Sequence, residues 1–509
     1  MGTPELPVPD GLVLRPFRGV RFAVEDPAKV TSPPYDLISD ADVDALLRLH
    51  PNNVVRLILP RTSRPGTAPG LSAGETPPET RYAEARDTLR AWLQAGILVP
   101  DDLPALYVYE QRGPHILQRG LIGDVALADP GQRVILPHED VMPGPIADRL
   151  ALMSTTQANL EPIFLLYDGA GSAATRLVDE VAAERPPLVS ARTEDGLTHR
   201  LWAITDASEI AAVNADLRDR QALIADGHHR YATYRVLQRQ ERLTRPSTEP
   251  SPASIPAPTS PPAPAPTSPP APAPTSPPAP ASTPAPPPEP ARAPDSLITA
   301  QDPGPIPRSP VPYHRSSTTL VAPWDFGLAL LVDSTAYPPD LKAIHRVIPG
   351  LPLTEAAAKA RGSWRAQEFG TLAEGLAAFE RAQDPAFLLA DETSAHLLTE
   401  PDPVQLARAM PADHSDRWNS LNTSILSEFL LPRVWGMRDD EQAVRIVHHD
   451  VHAAAELATR TGGTAVILKP LATEDVLAVA AGGERVPRKS TSFGPKPRTG
   501  LILRTFAIN

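Results

Sequence analysis

Apolar residues recur along the chain in two alternating rhythms. Short apolar runs at 54–59, 105–109, 121–127, 163–167, 201–204 and 222–225 predict strands, because a half-buried or fully buried strand needs only a few such positions. Between them, apolar residues at helical spacing predict helices over 40–49 and 80–95. Ser39 is a natural cap for the first, and Gly96 stops the second. The alternation resumes later. It predicts strands at 326–332, 386–390 and 464–468, helices at 351–360, 372–381, 451–460 and 473–480, and a long apolar run at 421–430. Gly462 and Gly463 end the helix before them. Elements mixed in this way predict an α/β to α+β architecture with a multi-layer globular core.

One stretch has neither rhythm. From Thr259 the chain repeats Thr-Ser-Pro-Pro-Ala-Pro-Ala-Pro with a period of eight, and residues 246–311 carry most of the excess among 64 prolines. Such a segment lacks backbone donors and the apolar side chains that would repay ordering, so it is expected to be a disordered, semi-rigid polyproline spacer. A passive insertion is favoured over a docking motif for SH3-type partners. The expected domains are 12–210, an N-terminal α/β domain; 211–350, a phosphate-loop portion interrupted by the insertion; and 351–509, a C-terminal α/β portion.

Composition narrows the chemistry. The 509 residues contain no cysteine, which excludes disulfides, thiolate metal sites and cysteine nucleophiles. A formal net charge of −12 disfavours nucleic acid as a partner, although an acidic whole can hold a basic pocket. The first ten residues lack the basic start and apolar core of a signal peptide, and no apolar stretch reaches the roughly 20 residues that span a bilayer. A soluble, cytoplasmic protein without a membrane partner is expected. The sequence sets no oligomeric state.

The most informative segment is Leu223-Ile224-Ala225-Asp226-Gly227-His228-His229-Arg230, where an apolar strand runs through a glycine turn into the helical pattern 231–242. A helix N-terminus offers unpaired N–H groups and a positive dipole end. Gly227 allows close backbone approach, and His228, His229 and Arg230 add donors, so phosphate is the natural ligand. The alternative is simple capping by Asp226 with a surface ion pair to Arg230.

Other constellations are shorter. Pro137-His138-Glu139 is followed by Asp148-Arg149, with proline and glycine between them predicting a loop. Glu139 could act as general base or Mg²⁺ ligand, with His138 beside it, and Arg149 could clamp a carboxylate or phosphate. Ion pairs holding the loop are the competing reading. Asp36, Asn53 and Arg56 could line a cleft at strand ends, or merely mark turns and caps. A basic, proline-braced stretch at 485–504 includes Lys489, Ser490 and Thr491 and could form a clamp on a phosphorylated ligand; Lys489 is its best single candidate. His448-His449-Asp450 with His452 invites a metal reading, but strand neighbours point to opposite faces and no complementary cluster follows. No metal site is assigned.

The 226–230 run resembles the Gly-x-His-Arg phosphate loop of sulfiredoxins and, more distantly, the Gly-x-x-Arg box of the ParB superfamily, which includes free-serine kinases. Sulfiredoxin chemistry needs a cysteine where this chain has His228, so that branch is excluded. The chain outside the spacer also resembles bacterial domain-of-unknown-function family 1015. The blocks that carry this are Leu14-Arg15-Pro16-Phe17-Arg18-Gly19, Pro33-Pro34-Tyr35-Asp36, Asn53-Val54-Val55-Arg56-Leu57, Pro137-His138-Glu139 with Asp148-Arg149, residues 225–231, Ala343-Ile344-His345-Arg346, and Pro487-Arg488-Lys489-Ser490-Thr491 through Gly500-Leu501. His345 and Arg346 join the substrate candidates on that basis.

These resemblances imply a ParB-like phosphate-binding portion and a nucleotide-dependent phosphotransferase acting on a small hydroxyl metabolite. Its cofactors would be Mg²⁺ and a nucleoside di- or triphosphate, and its partner a small phosphorylated ligand. Two other functions share the same residues: a non-catalytic nucleotide-binding switch or interaction module, and a phosphate-ester hydrolase.

Overall fold

The computed structural model describes residues 6–61, 78–244, 322–440 and 442–509. The proline-rich stretch 246–311 lies outside them. The described residues form one compact unit built on two sheets.

The larger sheet has nine strands: β1 (Leu14–Arg15), β2 (Leu106–Arg112), β3 (Leu117–Ala126), β4 (Ile135–Leu136), β5 (Ile163–Tyr167), β6 (Val189–Arg192), β7 (Thr198–Ile204), β8 (Ala222–Asp226) and β9 (Phe326–Asp333). Their order is β4-β8-β5-β9-β3-β2-β7-β6, with β1 on β3. Two pairs, β8 with β4 and β9 with β5, are parallel, and the rest are antiparallel. The central strands β5, β8 and β9 are buried throughout, which explains their unbroken apolar runs. A 210/211 boundary would cut this sheet, because β8 and β9 flank β5.

The second sheet comprises β10 (Ile344–Ile348), β11 (Trp364–Phe369), β12 (Phe387–Ala390), β13 (Ala395–Pro401), β14 (Arg445–His448) and β15 (Thr464–Ile467), in the antiparallel order β11-β13-β12-β15-β10-β14. Each sheet carries apolar clusters on both faces. After the second sheet the chain turns back. Val476, Ala480, Phe493, Leu501 and Ile502 pack into one face of the large sheet, Ser492–Gly494 pairs with Asp340–Lys342, and Arg504–Thr505 pairs with Ala158–Asn159. The basic stretch is thereby laid against the strand ends of β4 and β8.

Three elements depart from expectation. Residues 54–59, expected as a strand, contain the short helix Val55–Ile58, which the buried Asn53 starts by accepting the Val55 N–H at 3.0 Å. The loop expected between Glu139 and Asp148 becomes the helix Pro143–Thr156. Its prolines sit in the first turn, where a missing N–H costs nothing. The run at 421–430 divides into a helical turn, Asn422–Ile425, and a π-helix, Leu426–Val434, that contains Pro432. No helix among the described residues is long and apolar enough to cross a membrane.

Candidate functional site

Strand β8 ends at Asp226, and Gly227 turns the chain with φ +91° into the helix His228–Thr244. A side chain at 227 would sit 3.0 Å from Ile163 Cγ2 and 3.1 Å from Arg230 Nε, so the left-handed turn and the packing both require glycine. The Tyr231 N–H donates to the Gly227 carbonyl at 2.8 Å; the amides of His228, His229 and Arg230 precede that bond and form the positive helix end.

Arg230 turns inward. It pairs with Asp226, donates from Nη1 to the Pro162 carbonyl at 2.6 Å, and leaves its buried Nε without an acceptor beside Gly227. Asp226 Oδ1 also lies 2.6 Å from Lys496 Nζ, which is 2.7 Å from Asp36 Oδ2. Burial disfavours the Lys496 ammonium, but Asp226 and Asp36 outweigh it and raise its pKa. Burial would likewise raise Asp36, yet Lys496 and Arg230 hold its carboxyl below the usual range.

The histidines divide by role. His228 is buried and meets His138 edge to face, with ring centroids 4.5 Å apart. Burial, followed by His138 and His229, drives its pKa well below the usual value. His229 accepts the Met142 N–H on Nε2 at 3.0 Å, so its Nδ1 carries the proton in the neutral ring. Burial and then Lys489 lower its pKa.

The opposite wall follows β4. His138 is completely buried, and burial pushes its pKa down to about 3. Its Nε2 lies 2.7 Å from Thr491 Oγ1, and the same hydroxyl donates to Glu139 Oε1 at 3.0 Å. For Glu139 burial is the largest influence. It outweighs the pull of Lys489 and Thr491 and raises the carboxyl above its usual pKa, which suits a general base.

Lys489 stands beside Glu139 with φ +55°, a left-handed conformation that a lysine seldom adopts. The loop is braced from beneath. Buried Arg346 donates from Nη2 to the Arg488 and Lys489 carbonyls at 2.9 and 3.1 Å.

These groups surround a cleft of about 100 Å³ whose walls include Asp36, Glu139, residues 226–230, Lys489, Thr491 and Lys496. His138 stands behind Thr491. The other expected residues lie elsewhere. Asn53 donates to the Lys29 and Thr31 carbonyls, both at 2.9 Å, and exposed Arg56 donates to Pro51 at 2.6 Å. Asp148 and Arg149 pair at 2.5 Å on their helix, and the Arg149 guanidinium lies 4.4 Å from the Tyr35 ring centroid. They line a separate cavity of about 470 Å³. His345 accepts the Leu468 N–H at 3.3 Å, Arg346 donates to the Lys489 loop carbonyls and Ser490 donates to the Pro487 carbonyl at 2.6 Å, and none of the three lines the cleft. The sequence carried Lys496 only as one cation of the basic 485–504 stretch and Tyr35 only as the neighbour of Asp36, and singled out neither. The structure shows the place of Lys496: two facing carboxylates, Asp36 and Asp226, require a cation.

Residues 14–255 match the family described as Protein of unknown function (DUF1015). That match supports the family resemblance over every strand of the large sheet except β9 and over the whole Gly227 helix. No curated protein matches the chain. Among similar solved structures, SbnI with a C-terminal truncation from Staphylococcus aureus is 9% identical with a TM-score of 0.30, covering 73% of this chain and 82% of that one. A free serine kinase in complex with AMP is 12% identical with a TM-score of 0.29, covering 77% and 90%. A conserved hypothetical protein from Pyrococcus furiosus is 10% identical with a TM-score of 0.30, covering 78% and 98%.

Proposed function

We propose that the chain is a nucleotide-dependent phosphotransferase acting on a small hydroxyl metabolite, with a ParB-like phosphate loop at residues 226–230. The observation that carries this reading is the opposition, across one small cleft, of a carboxyl with a raised pKa, Glu139, and a helix end backed by the unsatisfied Nε of Arg230. The first holds a proton at the right moment. The second holds phosphate oxygens.

In the reaction, the acceptor hydroxyl oxygen forms a bond to the terminal phosphorus of a nucleoside di- or triphosphate. The bond from that phosphorus to the leaving nucleotide oxygen breaks, and the hydroxyl proton passes to the Glu139 carboxylate. Lys489 neutralises charge on the transferring group, and the first-turn amides of the Gly227 helix hold the neighbouring phosphate. His229, which lines the cleft and carries its proton on Nδ1 when neutral, donates to the same anion. Asp36 and Lys496 fix the position of Asp226 and hence the turn.

Among the described residues no group of three His, Asp or Glu side chains is arranged to hold a metal by itself. Of the carboxylates at the cleft, Asp36 and Asp226 are already paired with Lys496, leaving Glu139 as the open oxygen donor. A Mg²⁺ ion therefore fits as a nucleotide-borne ion, held by phosphate oxygens and water with at most one carboxylate. When bound, it would withdraw charge from the phosphate oxygens.

Glu139→Gln tests the assignment. The variant should bind nucleotide within about threefold of wild type in calorimetric titration, while turnover with an acceptor falls at least about a hundredfold. Unchanged turnover would remove Glu139 from the mechanism.

A further inference from the structure

The phosphate cleft holds about 100 Å³, enough for phosphate groups but too little for a nucleoside. It adjoins a second space. A groove of about 850 Å³ shares Glu139, His229 and Lys489 with it and runs towards the π-helix Leu426–Val434. The lining of the groove includes a planar platform. Trp418 is buried and donates from its indole N–H to the Arg485 carbonyl at 2.7 Å, which fixes the ring. His414 stacks on it with centroids 3.9 Å apart and planes 12° apart, and its Nδ1 is held 3.0 Å from Glu484 Oε1.

We propose that this groove is the nucleoside site and that the base stacks on His414, a reading that rests on the phosphate assignment above. Three observations converge on it. The groove opens at the three residues that border the phosphate cleft, so a nucleotide can lie across both spaces without a break. Its volume suits a base and ribose. His414, with 31% of its side chain exposed, is a flat ring immobilised on one face by Trp418 and on one edge by Glu484. A pre-ordered ring of this kind gives stacking at little cost in side-chain entropy. The π-helix at the far wall, a rare conformation that recurs at functional sites, places Glu428 and Ser427 within reach of the same space.

The test compares ATP with tripolyphosphate, which has the phosphates without the nucleoside, by calorimetry on the full chain. Wild type should bind ATP more tightly than tripolyphosphate. His414→Ala should weaken ATP about tenfold, as loss of one base stack does, and leave tripolyphosphate unchanged; His414→Phe, which keeps a flat ring, should restore ATP binding. Equal ATP affinity in wild type and His414→Ala would overturn the nucleoside assignment while the phosphate site stands. So would a His414→Ala variant that binds ATP normally but shows a raised KM for the hydroxyl acceptor. Failure of wild type to bind either compound would overturn the phosphate assignment itself, and the nucleoside site with it.

Discussion

The Thr491 hydroxyl has one proton and two claimants. Donating it to Glu139 stabilises the carboxylate against the burial that raises its pKa, while His138, too buried to accept a proton above about pH 3, orients the hydroxyl from behind. A base must be deprotonated to act, so activity should be lost as pH falls through the Glu139 pKa. Thr491→Val removes a hydrogen bond to the charged form, and the acid limb of kcat against pH should move upward by about one unit; Thr491→Ser should leave it in place. An unmoved acid limb in Thr491→Val would separate Thr491 from Glu139. Of this arrangement, the sequence made Glu139 and Thr491 visible as separate candidates. Their contact was not visible, because 352 positions separate them and only the return of the C-terminal stretch brings them together.

The strand, turn and helix around Gly227 were readable because each step has a local cause: a buried apolar strand, a residue free to adopt positive φ, and a helical apolar pattern. Gly227→Ala should destabilise the protein by about 1–3 kcal/mol in urea unfolding, since alanine meets both a strained φ and the Ile163 and Arg230 side chains. It should also weaken phosphate binding, because the adjustment displaces the first-turn amides. A variant with unchanged stability would contradict the requirement for glycine. Local signals failed where tertiary context decides. Val55–Ile58 is buried on nearly every side, so its apolar run reads equally as strand or helix. Pro143 and Pro145 looked like loop residues because their place in a first turn was invisible. The inward bend of Arg230 was equally hidden; its partner in Asp226 could be read from the spacing, but its hold on Pro162 could not.

The folded chain keeps several imidazoles neutral in its interior. Burial holds His138 at about 3 and His199 and His345 at about 4, whereas unfolded histidines titrate near 6.5. Below pH 6.5 the unfolded chain therefore binds more protons than the folded one, and stability should fall steadily as pH drops from about 6.5 towards 4. Urea midpoints that stay constant between pH 7 and 5 would contradict this. The chain ends that flank the proline-rich stretch are held together from within, because Gln238 donates to Asp325 at 3.1 Å and Arg242 pairs with the same carboxylate. Replacing residues 246–311 with a short Gly/Ser linker should leave the urea midpoint and nucleotide affinity of the full chain unchanged; loss of either would show that the stretch contributes to the core or the site. The alternation of strands and helices foretold a mixed architecture. It did not foretell one sheet built from both sides of the insertion, because strand order is decided by non-local pairing. The central claim is phosphoryl transfer to a hydroxyl, and phosphorus NMR of the full chain with Mg²⁺ tests it most directly. ATP, ADP and CTP are offered in turn, with and without L-serine and a pool of hydroxyl metabolites. A new phosphomonoester resonance that requires an acceptor and is absent with Glu139→Gln is the predicted result, whereas inorganic phosphate alone, or nucleotide binding without any product, would contradict it.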